Sequence, residues 1–268
     1  MSPRRRAVLA VALLAAASAA RAMGGAQECM PEDLVPVDAW IAAHPWHEGP
    51  VNPNGLVASA CRQSSADKRL SIVAAAYDLA FDNQKSLVVA LVDHDAGVVR
   101  AAYKGTVRED ALLQVTQGGL RLDTAPYDLA PGVRAFGVDV NPGVSAPPCA
   151  EAGGELTRVL FVRDGASLRP VLQRFVVSSW RLAKGKPVCE PSQAAGSVIE
   201  TTTWTIAIAP RATHGYADLV VTESIEGRVP GEKVRGGHYE LHYDGTAYRR
   251  DGAAPDVPLI APEGPARH

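Results

Sequence analysis

Ser86-Leu87-Val88-Val89-Ala90-Leu91-Val92-Asp93 runs into His94-Asp95-Ala96-Gly97 and then into Val98-Val99-Arg100-Ala101-Ala102-Tyr103. The first run is apolar at successive positions, too short for a buried helix, and reads as a strand covered on both faces. Asp93 to Gly97 is a cluster of turn residues, and Val98 to Tyr103 returns. The stretch predicts a β-hairpin.

The theme repeats toward the C-terminus. Leu120 to Tyr127 and Val133 to Val140 are joined by an Ala-Pro-Gly turn. Leu156 to Val162 and Leu168 to Val177 flank Asp164-Gly165, and His238 to Tyr243 and Thr246 to Arg249 flank Asp244-Gly245. Asp-Gly between strands signals a two-residue turn with positive φ at both positions. Val198 to Ala209, with Trp204 inside it, and Tyr216 to Ile225 add two more strands. Toward the N-terminus, Leu70 to Leu79 is β-permissive, although its three alanines leave helix open. Val37 to His44 predicts a short helix ended by Pro45, with 23–36 an irregular leader.

The fold class is therefore all-β and antiparallel. One hairpin-rich domain over 56–252 follows a leader with a short N-terminal helix over 23–55. Three four-stranded units, about 70–104, 119–175 and 198–250, leave propeller-like blades and a large meander sandwich as the two arrangements. The tail, 253–268, carries Pro255, Pro258, Pro262 and Pro265 and reads as disordered.

The chain has 268 residues, 47% of them hydrophobic, so wholesale disorder is excluded. A net charge of -2 and 6% aromatic residues argue against nucleic-acid binding and stacking platforms. Residues 1–22 read as a secretory signal peptide. Arg4, Arg5 and Arg6 precede an apolar run from Ala7 to Ala20, and Ala20-Arg21-Ala22 offers a cleavage site. Cleavage there removes Arg4, Arg5, Arg6 and Arg21 and leaves 23 bases against 29 acids, a charge of -6. Such a chain has no attraction to an anionic membrane. Arg outnumbers Lys and Asn is scarce, as in GC-rich bacterial genomes, which points to the periplasm. Cys29, Cys61, Cys149 and Cys189 then suggest two disulfides, with Cys29–Cys61 and Cys149–Cys189 favoured because sequence neighbours close most easily.

His238-Tyr239-Glu240-Leu241-His242 is the metal candidate. Alternation on a strand puts His238, Glu240 and His242 on one face, and two imidazoles with a carboxylate suit zinc. A competing reading needs no cofactor. A two-residue turn at Asp244-Gly245 sets His242 opposite Ala247 and Glu240 opposite Arg249, an ion pair on a wet face. Tyr239, Leu241, Tyr243 and Tyr248 then face the core. His44, Trp46 and His47 form a second candidate spot, either a binding surface or an aromatic plug sealing the leader onto the body. Asp93, His94 and Asp95 offer too few oxygens for calcium and suit an ordinary turn.

Thr213-His214-Gly215-Tyr216-Ala217-Asp218-Leu219-Val220-Val221 resembles the Gly-Tyr-x-Asp-Leu-Val-Val strand of FG-GAP/VCBS-type repeats. The resemblance covers about ten residues and implies a propeller-like sheet. That family holds calcium with aspartates in the loop before the glycine. Here the loop reads Pro210-Arg211-Ala212-Thr213-His214, so the resemblance implies a repeat without its metal ligands.

No nucleophile elbow, phosphate loop or dinucleotide fingerprint is present. The expected role is an exported, non-catalytic binding or interaction protein, its partner a protein or small ligand of the envelope. An inhibitor of a toxic effector, a metal-dependent hydrolase built on His238, Glu240 and His242, and a structural envelope component are the alternatives.

Overall fold

The computed structural model describes residues 27–46, 55–79, 84–109, 113–141, 149–187, 196–227, 236–252 and 258–262. Residues 1–22, which the sequence predicts as a signal peptide, His47 and Cys189 lie outside them. In chain order the elements are α1 (Pro31–Ala43), β1 (Leu56–Gln63), β2 (Leu70–Asp78), β3 (Gln84–Asp93), β4 (Val98–Arg108), β5 (Leu120–Ala130) and β6 (Val133–Val140). They continue with β7 (Ala152–Asp164), β8 (Ser167–Lys184), β9 (Val198–Thr213), β10 (Tyr216–Glu226), β11 (His238–Tyr243), β12 (Tyr248–Arg249) and β13 (Ile260–Pro262).

Strand β3 behaves as its apolar run predicts. It pairs with β2 on one side and β4 on the other. Leu87, Val89 and Leu91 point into one apolar cluster, and Val88, Ala90 and Val92 into another. The alanines of β2 split the same way, Ala74 and Ala76 to the first cluster and Ala75 to the second. Pairing on both edges settles this segment as strand, against the helix propensity of alanine.

The strands make one mixed sheet that doubles back on itself. Its path runs β1-β2-β3-β4-β8-β9-β10-β11-β12, with β5, β6 and β7 branching from β8. One apolar cluster packs β1–β4 against β5–β7 through Ile72, Val89, Leu122, Val138 and Phe161. A further cluster packs the opposite face of β5–β8 against β10–β12, through Leu129, Leu160, Leu172, Leu219 and Tyr243. The β5–β8 layer is thus buried on both sides. Of the two arrangements, the structure takes the meander sandwich. Separate blades are not formed, because β8 pairs with β9 across the boundary between the second and third units.

The buried middle layer also holds charge. Arg158 on β7 donates to both oxygens of Asp139, at 2.6 and 2.8 Å, and to the Tyr127 hydroxyl at 2.8 Å. It also meets Asp123. A Cβ at Gly137 would lie 3.1 Å from the Arg158 side chain, so glycine makes room for the guanidinium there.

Several local expectations change. The helix begins at Pro31, inside the expected irregular leader. Pro31 suits the first turn, the Asp33 carboxylate accepts the Met30 N–H at 3.0 Å, and Glu32 and Asp33 favour the positive end of the dipole. In the β7–β8 hairpin Asp164 pairs with Ser167, so the turn residues are Gly165 and Ala166 rather than Asp164 and Gly165. The proline-rich tail is not wholly irregular, because Ile260–Pro262 pairs with β4 and Ile260 is fully buried. An apolar pair, Leu259 and Ile260, outweighs the prolines around it.

Cys29 and Cys61 form the expected disulfide, with Cα atoms 4.9 Å apart. Cys149 is disulfide-bonded as well. The Cys29–Cys61 bond ties the start of α1 to β1 across 32 residues. The double variant Cys29→Ser/Cys61→Ser is expected to lose about 2–4 kcal/mol of stability. Urea denaturation under oxidising conditions checks this, and an unchanged midpoint would show that the closure contributes nothing.

Candidate functional site

Two irregular points in the ladders build the chemistry of this protein. The first is on β9. Ala212 pairs with Ala217 and Ile208 with Leu219, so three residues of β9 oppose Asp218 alone. Pro210 lies in that bulge and has no N–H for the ladder, which accounts for its position. The bulge carries Arg211 over Asp218. Beyond it, His214 and Gly215 turn the chain with φ of 48° and 86°, and Thr213 pairs with Tyr216.

Strand β11 lies against the other side of β10. Its alternation is as expected. His238 and Glu240 are exposed and His242 half-buried on the outer face, while Tyr239, Leu241 and Tyr243 join the inner cluster. The turn register differs from the expectation. His242 pairs with Arg249 and Tyr243 with Tyr248, leaving a four-residue turn. The Asp244 carboxylate accepts the N–H groups of Thr246 and Ala247, each at 2.8 Å, and so holds the longer turn. Arg249 pairs with Asp244, not with Glu240.

Glu240 instead meets Arg211, whose Nη2 donates to its Oε2 at 2.6 Å. Arg211 Nε donates to Asp218 Oδ2 at 2.7 Å, and His242 Nδ1 lies 3.1 Å from the same oxygen. One ligand atom each from Asp218, Glu240 and His242 falls within 4.8 Å of the others. His238 is outside this group. Positions four apart on a strand are separated by about 13 Å, too far to share one ion. Asp218, from the neighbouring strand, stands in its place.

Two carboxylates and an imidazole are a fair zinc set. Here the Arg211 guanidinium already supplies the cation between them. Asp218 is fully buried, and its second oxygen has no hydrogen-bond partner among the described residues. Burial pushes its carboxyl up, but hydrogen bonds from Arg211, Thr213 and His242 outweigh that and hold it below the usual range.

The second irregular point is on β8. Leu160 pairs with Leu172 and Arg158 with Phe175, so β8 carries an extra residue. Arg174 adopts φ of 49° there. Strict alternation would send Leu172 and Phe175 to opposite faces. The bulge turns both into the inner cluster.

A cavity of about 580 Å³ opens beside this bulge. Its apolar wall is Leu172, Phe175, Trp204, Tyr239 and Leu241, and its polar groups include Glu223, Arg174 and Arg250. Arg250 stacks over the Tyr239 ring at 4.8 Å. Burial raises the Tyr239 hydroxyl above its usual pKa, Arg250 opposes this and Glu223 adds to it. Sequence reading missed this cavity, because Arg174 gives no glycine signal for the bulge that shapes it. Only the position of Trp204 inside an apolar strand hinted at an aromatic wall.

The remaining candidates fall elsewhere. Trp46 is buried against the α1 side of the sheet, with Lys104 Nζ 4.9 Å from its ring. His44 is exposed, stacks on Trp40 at 4.4 Å, and donates from Nδ1 to the Trp40 carbonyl. Asp93 pairs with Arg100, and His94 lies 3.6 Å from Asp33. No family model, curated protein or solved structure matches the chain.

Asp218→Asn is expected to cost about 1–3 kcal/mol at neutral pH, since it leaves Arg211 and His242 without their buried carboxylate. A lowered carboxyl pKa stabilises the fold above the unfolded value of about 3.9 and ceases to do so as pH falls through the folded value. The gap between variant and wild type should therefore narrow in acid, as denaturation at several pH values checks. Zinc is expected to leave the wild-type melting temperature unchanged, because Arg211 holds the cation position. A rise on adding zinc, lost in His242→Ala, would reverse that assignment.

Proposed function

We propose that this chain is an exported, non-catalytic binding protein whose small ligand occupies the cavity beside the β8 bulge. The observation that carries the reading is the cavity itself, about 580 Å³ with an aromatic wall and charged groups at its border. A concave site that joins an aromatic wall to several polar and charged groups can hold and orient a small polar molecule. The signal-like N-terminus and the Cys29–Cys61 disulfide support an oxidising compartment. Asp218 and His242 make an acid–imidazole pair, and among the described residues the hydroxyl beside them, Thr213, is engaged by the buried Asp218. That favours binding over nucleophilic catalysis.

Titration with 8-anilinonaphthalene-1-sulfonate tests the reading. A single saturable site is expected, weakened about tenfold in Trp204→Ala, the loss of about 1.4 kcal/mol that one aromatic contact supplies. Equal binding by the variant would place the dye elsewhere and overturn the assignment.

A further inference from the structure

The cavity carries opposite charges that do not meet. Glu223 follows Leu219 and Val221 on the inner face of β10, a face that is otherwise apolar, and sits opposite Trp204 on β9. Its carboxylate has no ion pair or side-chain hydrogen bond among the described residues. Glu223 is half-buried, so a ligand that covers it must supply a cation in place of water, and aromatic rings themselves attract cations. On the same cavity, Arg174 and Arg250 also lack ion-pair partners among the described residues. Arg249 differs, being engaged by Asp244. The backbone at Arg174 takes a left-handed conformation that a non-glycine residue adopts at a cost. The bulge thus holds a guanidinium at the cavity in a place where glycine would be easier.

We propose that the cavity takes a small zwitterion with an aromatic body, its ammonium on Glu223 beside Trp204 and its carboxylate on Arg174 and Arg250. The inference rests on the cavity being the binding site. A purely apolar ligand would cover Glu223 and both arginines without replacing the water they now meet. A simple anion would answer the arginines and bring a second negative charge toward Glu223.

Three probes of one shape separate these cases: L-phenylalanine, L-phenylalaninamide without the carboxylate, and 3-phenylpropionate without the ammonium. Calorimetric titration is expected to show phenylalanine binding at least tenfold tighter than either. Glu223→Gln should abolish its advantage over phenylpropionate. Arg174→Gly, which suits the left-handed backbone and is expected to fold, should reduce its advantage over the amide. Equal binding of phenylalanine and phenylpropionate, or no binding of any probe while the naphthalene dye still binds at Trp204, would overturn the zwitterion and leave the cavity reading standing. Failure of the dye as well would overturn both.

Discussion

Strand β8 has to serve two layers, and that constraint shapes the rest of the molecule. Its first half pairs with β7 in the middle of the sandwich, where Leu168 faces one apolar cluster and Val171 and Leu172 face the other. Its second half pairs with β7 and β9 together and starts the outer layer. A regular strand keeps one alternation throughout. One irregularity between Pro170 and Leu172 and a second at Gln173 and Arg174 reset it, and the cavity lies beside the second.

Internal cations answer the carboxylates that the layers bury. Arg158 does so within the middle layer and Arg211 on the outer face of β9–β11. The two differ in exposure. Arg158 is largely enclosed, whereas most of the Arg211 side chain faces solvent over a fully buried Asp218. Burying a charge demands a partner in both cases. The same geometry that resembles a metal set on β10 and β11 is completed by an arginine carried on a proline bulge.

The strands themselves are legible because apolar runs and turn residues are local signals. Leu87 to Val92 declares a strand covered on both faces, and Tyr239, Leu241 and Tyr243 declare an inward face. Registers are less legible. Asp244-Gly245 looks like a two-residue turn, yet the Asp244 side chain captures two N–H groups and lengthens it. The helix start is also obscure, because Pro31 suits an irregular leader as well as a first turn. At the candidate sites, Glu240 and His242 can be paired from alternation alone. Asp218 and Arg211 cannot, since they meet Glu240 only when β9, β10 and β11 lie side by side. The cavity needs the β8 bulge, which no glycine announces.

The first four strands meet the β5–β12 part of the sheet through a narrow backbone seam. Between β4 and β8 a single parallel pairing, Ala102 with Ser167, joins them. Ladder hydrogen bonds therefore join these parts at few points, and side-chain bonds add to them, Gln27 with Leu122 and Arg134 with the Ser65 carbonyl. Side-chain packing in the cluster between β1–β4 and β5–β7 spans the same boundary. Apolar contacts are non-directional, so this boundary is held by fit more than by register. The half that holds the cavity and the half that holds the Cys29–Cys61 bond are thus coupled mainly through packed side chains.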